Sequence, residues 1–281
     1  MILIVESGST KADWLLVDGK DTVLSFQSKG WNPLFLSSQA MISRLNSYVE
    51  LAAYMSSVQE LHFYSPGISH SESKDQLQSV LESHFANAKV FVESDMLAAA
   101  RSVYKGKPLF VSIMGTGSNT AFYDGEIIEQ FTPSLGYVLG DEGSGVALAK
   151  VLLRDYLYKR IPSDLYLEFS KNYSISKELV LKSVYKDEFP NRFLASYVPF
   201  LVRHKNHSYV ADLVKNEFQN YVDFHLKSSP MIHDYSISFV GSVAYCFHEI
   251  LREVLIQENL KMETIIQSPI KGLFAYHFRD I

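Results

Sequence analysis

Residues 1–19 read MILIVESGSTKADWLLVDG, and residues 108–125 read PLFVSIMGTGSNTAFYDG. Both stretches follow one plan. An apolar strand (Met1–Glu6; Pro108–Met114) runs into a tight polar turn (Ser7-Gly8-Ser9-Thr10; Gly115-Thr116-Gly117-Ser118). A second strand (Ala12–Val17; Asn119–Tyr123) then reaches an Asp-Gly pair, a strong hairpin signal. A third strand follows each time, Thr22–Ser28 and Ile127–Phe131. After the first copy, apolar spacing predicts a helix over Gln39–Met55, with Met41, Leu45, Tyr48 and Ala52 on one face. Strand Glu60–Tyr64, helix Lys74–Phe85, strand Lys89–Glu93 and helix Asp95–Val103 complete that half. The second copy continues, past a largely helical stretch, through strand Ser236–Val240, helix Val243–Gln257, strand Glu263–Gln267 and a last helix, Ile270–Phe278.

The order strand-strand-strand-helix-strand-helix-strand thus occurs twice, which predicts an α/β protein of two similar domains. The boundary falls in the polar break Tyr104–Pro108. The first domain is expected over 1–107, with 269–281 as a candidate addition. The second is expected over 108–268, with a helical insertion at about 143–229 in which Val146–Tyr158 is the clearest helix.

Composition narrows the function. The 281 residues are 47% hydrophobic and 20% charged, an ordinary globular balance. A single cysteine, Cys246, excludes an intrachain disulfide and any four-cysteine metal or iron–sulfur site within one chain. Net charge is −5 with no Lys/Arg block, against nucleic acid as a partner. The opening MILIV has no basic region before it, so no signal peptide is expected. No apolar run approaches the roughly 20 residues that span a bilayer, so a cytoplasmic protein without a membrane partner is expected. The nine histidines form no metal set: His204 and His207 have H-x-x-H spacing but no third ligand.

The two polar turns carry the chemistry. Glycine permits backbone angles closed to other residues, so a sharp turn can aim several N–H groups at one anion. In the first, Ser7, Gly8, Ser9 and Thr10 would supply amides and hydroxyls, and Lys11 a positive charge. Glu6, at the strand end, suits a magnesium ion, met directly or through water. Gly115, Thr116, Gly117 and Ser118 repeat the arrangement. Gly241 and Ser242, between a strand and a helix, either serve the turn itself or let a flat nucleotide approach the backbone. Each motif alone also reads as a plain turn. Two of them at matching points of duplicated halves point to one polyphosphate gripped across a cleft.

Glu6-Ser7-Gly8-Ser9-Thr10-Lys11-Ala12-Asp13-Trp14 resembles the first phosphate motif of the N-acetylglucosamine kinase family, in the superfamily of actin, hexokinases and chaperone ATPases. Gly115–Asn119 resembles the second phosphate motif, and Leu139-Gly140-Asp141-Glu142-Gly143-Ser144-Gly145 the family's most distinctive stretch. Val240–Ser242 and Ser268–Leu273 resemble adenosine-side segments. The resemblance spans nearly the whole chain. Glu6 stands where many relatives have aspartate.

The resemblance implies two ribonuclease-H-like domains of the actin-like ATPase type and a kinase using ATP and Mg2+. It implies Asp95 as the catalytic base, at a position that also suits a helix N-cap. It implies sugar contacts from Asn32, which equally fits an Asn-Pro turn, and from Asp141 and Glu142, which equally fit a helix cap or a metal-bound water. The acceptor implied is an N-acetylated amino sugar, N-acetylglucosamine at its 6-hydroxyl, with N-acetylmuramic acid or glucosamine as alternatives. Trp31 could stack on a sugar ring or fill the core. A different reading is an activator ATPase for an iron–sulfur enzyme, a group of the same superfamily. A sensor lacking catalysis would be expected to lose the base or the turns, and both are present. The aromatic-rich insertion leaves room for a homodimer.

Overall fold

The computed structural model describes residues 1–68 and 71–278; residues 279–281, at the end of the segment assigned to the first domain, lie outside the described residues. The chain divides into two compact units, Met1–Lys105 with the segment from Ser268 onward, and Gly106–Gln267.

The first unit is built on a five-stranded sheet of β1 (Ile2–Ser7), β2 (Lys11–Asp18), β3 (Asp21–Lys29), β4 (Glu60–Ser65) and β5 (Lys89–Ser94), in the order β3-β2-β1-β4-β5. β1 pairs antiparallel with β2 and parallel with β4. Its Leu3, Ile4 and Val5 are all buried, the continuous apolar run of a strand covered on both faces. β3 at the edge alternates exposed and half-buried residues instead. One side of the sheet carries an aromatic cluster. Trp14 stacks on Phe26 at 5.5 Å and meets Trp31, Tyr48 and Phe63 edge-on at 5.3–5.9 Å. Burying each such ring is worth roughly 1.5–3 kcal/mol. The other side is covered by the helices Asp95–Val103 and Ile270–His277, which approach so closely that a Cβ on Gly272 would lie 2.2 Å from the Ser102 carbonyl oxygen.

The second unit repeats this order with β6 (Leu109–Met114), β7 (Ser118–Tyr123), β8 (Ile128–Glu129), β9 (Ile237–Val240) and β10 (Met262–Ile266), arranged β10-β9-β6-β7-β8. β6 pairs antiparallel with β7 and parallel with β9. Both sheets are ribonuclease-H-like, and the duplication read from the sequence is a duplication of topology. Between β8 and β9 the chain is helical, including Gly145–Leu157, Ser163–Asn172, Ser208–Tyr221 and a π-helical turn, Val222–Leu226. No described helix is long and apolar enough to cross a membrane.

Two expected helices are broken. Gln39–Met55 is instead Ser38–Ser47 and Val49–Ala52, separated at Tyr48 (φ −88°, ψ 74°). The Tyr48 hydroxyl accepts a hydrogen bond from Trp31 Nε1 at 3.2 Å, and its ring joins the Trp14 cluster. Tertiary packing there overrides helical periodicity. Val243–Gln257 likewise splits at Phe247, which is buried, into Ser242–Cys246 and His248–Gln257. The expected strand Ile127–Phe131 shrinks to two residues.

Candidate active site

In the first unit the polar turn joins β1 to β2, with the Gly8 N–H donating to the Lys11 carbonyl at 2.9 Å. The Ser7 hydroxyl is fully buried and is held by the Trp31 backbone. It accepts from the Trp31 N–H at 2.7 Å and donates to the Trp31 carbonyl at 3.0 Å. Gly30 lies flat against the turn: its N–H donates to the Thr10 carbonyl, and a Cβ there would meet the Gly8 oxygen at 2.2 Å. The turn is therefore fixed from beneath by residues 30–31. Gly8 itself needs no left-handed backbone, and a Cβ on it would meet nothing nearer than 3.7 Å. Its lack of a side chain leaves open space rather than relieving strain, which corrects the conformational reason given for it above.

Three carboxylates gather by this turn. Glu6 on β1 pairs directly with Asp13 on β2. Asp13 is engaged by Lys11 Nζ (3.1 Å), Gln27 Nε2 (2.6 Å) and Ser268 Oγ (3.1 Å). Desolvation, then the negative charges of Asp13 and Asp95, push Glu6 up to about 8, with Lys11 opposing them. Asp95 is pushed up to about 6 by burial, opposed by the Met96 N–H that its Oδ1 accepts at 2.9 Å. The helix cap is Ser94, whose hydroxyl accepts from the Leu97 N–H at 3.1 Å. Asp95 is the first helical residue, so the N-cap position expected for it belongs to Ser94, while its own Oδ1 takes the Met96 N–H.

Asn32 combines both of its readings. Its Oδ1 accepts from the Leu34 N–H at 3.0 Å, closing a turn, and abuts Gly67 in the loop after β4. The acceptor is used locally and the amide NH2 is the group left to meet a ligand. Trp31 is fully buried, a core residue and not a stacking platform.

In the second unit the polar turn joins β6 to β7 and is held differently. The helix Gly145–Leu157 begins against it: the N–H groups of Gly145 and Val146 donate to the carbonyls of Gly115 (2.8 Å) and Thr116 (3.1 Å). Helix-terminal donors that lack partners within the helix are thereby satisfied. Asp141, in the left-handed region (φ 63°), accepts from the Ser118 N–H at 3.2 Å through Oδ1. Its pKa is raised by burial, against that N–H and the charge of Lys150. A Cβ on Gly117 would sit 3.0 Å from both Asp141 carboxylate oxygens, whereas one on Gly115 would meet nothing within 4 Å. Glu142 is committed inside the unit. Its carboxylate pairs with His225 Nε2 at 2.8 Å and its carbonyl accepts from the Ser118 hydroxyl at 2.7 Å.

Gly241 has φ 131°, and a Cβ on it would lie 2.3 Å from the Met114 oxygen. The glycine is demanded by this close backbone crossing at the end of β6, the turn reading of the two given above. Ser242, the first residue of the following helix, is exposed. The predicted residues thus fall into two groups: Glu6 to Lys11, Asn32 and Asp95 in the first unit; Gly115 to Ser118, Asp141, Glu142, Gly241 and Ser242 in the second.

Solved structures resemble this chain over its whole length. A protein from Porphyromonas gingivalis, described as a candidate N-acetylglucosamine kinase, superimposes with TM-score 0.93 at 33% identity, covering 100% of this chain and 99% of that one. The chain belongs to the N-acetylglucosamine kinase family. It is accordingly a sugar kinase, a phosphotransferase with an alcohol group as acceptor. A second candidate N-acetylglucosamine kinase, from Chromobacterium violaceum, shares the fold at 14% identity (TM-score 0.72, 98% of each chain). So does a ROK family glucokinase from Streptomyces griseus in complex with glucose and AMPPNP (14%, TM-score 0.55, 98% and 97%). No family model and no curated protein sequence matches the chain.

Sequence reasoning missed several residues that shape this kinase. Gly30 was visible only as part of Gly30-Trp31-Asn32-Pro33, and nothing local says that its α-carbon meets Gly8. Asp13 was visible within the first motif, but its three partners come from β2, β3 and the loop before the last helix. His225 lies in the insertion, more than 80 residues from its partner Glu142, with no motif to mark it.

Proposed function

We propose that this sugar kinase transfers the γ-phosphoryl group of Mg-ATP to the 6-hydroxyl of N-acetylglucosamine. The observation that carries the chemistry is Asp95. Ser94 holds the N-cap, Asp95 Oδ1 accepts the Met96 N–H, and burial raises the carboxyl to about 6. A general base is most effective with a pKa near the working pH. Asp95 accepts the proton of the attacking hydroxyl as its oxygen closes on the γ-phosphorus. The Asn32 amide donates to one sugar hydroxyl and Asp141 accepts from another. The open faces at Gly8 and Gly115 let phosphate oxygens reach backbone amides, which hold charge already oriented, and Gly117 keeps the second turn narrow beside the Asp141 carboxylate. Ser9, Thr10, Lys11, Thr116 and Ser118 belong to the same two surfaces, and Ser242 to the nucleoside side.

Magnesium fits Glu6. Its carboxyl is crowded by Asp13 and Asp95 with Lys11 as counter-charge, an excess of negative charge that a hard cation relieves. Among the described residues no three His, Cys, Asp or Glu side chains converge to hold a metal. Magnesium usually keeps several waters and takes one or two carboxylates plus substrate phosphates. When bound, it neutralises charge building on the phosphoryl oxygens. The choice of N-acetylglucosamine is supported by the description of the P. gingivalis relative.

The test is ATP consumption over a panel of amino sugars. N-acetylglucosamine should yield ADP and the 6-phosphate in equal amounts, and without sugar ADP release should be far slower. ADP release indifferent to every sugar, with no sugar phosphate by mass spectrometry, would overturn the proposal in favour of an activator-type ATPase. Phosphorylation of N-acetylmuramic acid or glucosamine in preference would move the substrate and keep the chemistry.

A further inference from the structure

Beneath the second turn a set of buried polar contacts closes on itself. The hydroxyl of fully buried Tyr221 donates to Ser112 Oγ on β6 at 2.5 Å and also meets Thr120 Oγ1 on β7. The Tyr221 and His225 rings stack, 5.2 Å apart and 24° from parallel. His225 Nε2 meets Glu142 Oε2 at 2.8 Å, and the Glu142 carbonyl accepts from Ser118 Oγ, back on β7. His225 is 8% exposed. It is brought there by the π-helical turn Val222–Leu226 that ends the helix Ser208–Tyr221, a rare widening of the helix.

The segment gripped by this ring is unfavourable by itself. Asp141 is left-handed (φ 63°) without being glycine, a conformation that L side chains adopt infrequently. Gly143 is left-handed too (φ 71°), and a Cβ there would lie 2.7 Å from Met114 Cε and 2.8 Å from Tyr221 Cβ. Between them Glu142 is held at both ends, its carbonyl by Ser118 and its carboxylate by His225. A buried polar ring of this kind adds little net stability over well-packed apolar residues; what it adds is a fixed geometry. We infer that His225 is a positioning residue: through Glu142 it locks the Asp141–Gly143 turn against the second polar turn and so presets Asp141. The role of Asp141 toward sugar rests on the proposed function; the way Asp141 is held does not.

The test compares His225→Leu, which removes the donor, with His225→Gln, whose amide nitrogen can still donate to Glu142. Hydrogen exchange in peptides covering 140–144 should quicken about tenfold or more in His225→Leu and return most of the way in His225→Gln, with β6 unchanged in both. In steady-state kinetics His225→Leu should lower kcat/KM for sugar roughly tenfold or more, with KM for ATP within about twofold of the parent, and His225→Gln should recover most of it. Should His225→Leu not fold, His225→Asn, polar but too short to reach, takes its place. Parental exchange at 140–144 in a folded donor-less variant, or a glutamine variant no better than it in both readouts, overturns the inference. If exchange responds as expected but the parent phosphorylates no sugar, the proposed function fails and the positioning role stands.

Discussion

The two polar turns are written alike and supported differently. The first is fixed by backbone: Gly30 against Gly8, and the Trp31 peptide on Ser7. It sits among three carboxylates, two of them raised toward or above neutrality. The second is fixed by a helix N-terminus and a ring of hydroxyls closed by one His–Glu pair. The same βββ plan therefore supports a turn beside clustered carboxylates in one unit and a turn locked by a helix start and a His–Glu pair in the other. A duplicated motif specifies a turn; the elements packed behind it specify what the turn can do.

Changing Asp95 to Asn tests the charged side most severely. Turnover should fall about a hundredfold or more, as loss of a general base does, while Tm stays close to the parent because Ser94 keeps the cap. A variant with most of its turnover would remove Asp95 from that role and erase the chemical contrast between the turns.

Glycine substitutions probe the supports. Gly30→Ala forces a Cβ to 2.2 Å from the Gly8 oxygen, with only backbone to move, and should cost about 1–3 kcal/mol in urea unfolding. Gly115→Ala meets nothing within 4 Å and needs no left-handed angle, so stability should hold while ATP affinity by calorimetry drops. Unchanged affinity would count against phosphate at the second turn. Gly117→Val, crowding Asp141, should weaken ATP binding further with little change in circular dichroism.

The acid groups set a pH signature for the first unit. Glu6 keeps its proton in the fold up to about 8, whereas the unfolded chain loses it near 4.5, so its contribution to stability falls as pH rises between those values. Asp95 acts likewise between 3.8 and about 6. His277, lowered to about 3 mainly by burial, works the opposite way: stability is lost as pH falls below about 6.5. Glu6→Gln should therefore flatten the decline in urea midpoint from pH 5 to 8 in the absence of metal. A decline identical to the parent's would show that Glu6 is not the group responsible.

The smallest effect expected is at the cap. Ser94→Ala should lower stability by about 1 kcal/mol, measured by chemical unfolding, with turnover nearly intact. A collapse of turnover equal to that of Asp95→Asn would mean that the cap and the base cannot be separated as drawn.

The sequence by itself determined the duplicated strand order, the place of both turns and the helical insertion. Those depend on short-range alternation, on Asp-Gly turns and on helical spacing, which are local properties of the chain. It also placed Asp95 at its strand-to-helix junction, though the cap falls one residue earlier, a margin that composition does not resolve. Only the tertiary structure decided that Tyr48 and Phe247 break their helices, that Gly241 answers to the Met114 carbonyl, and that Glu142 faces His225. The physical reason is the same in each case. Periodicity reports which side of an element is apolar, but the space left beside a particular atom, and the partner offered to a particular carboxylate, come from segments tens of residues away.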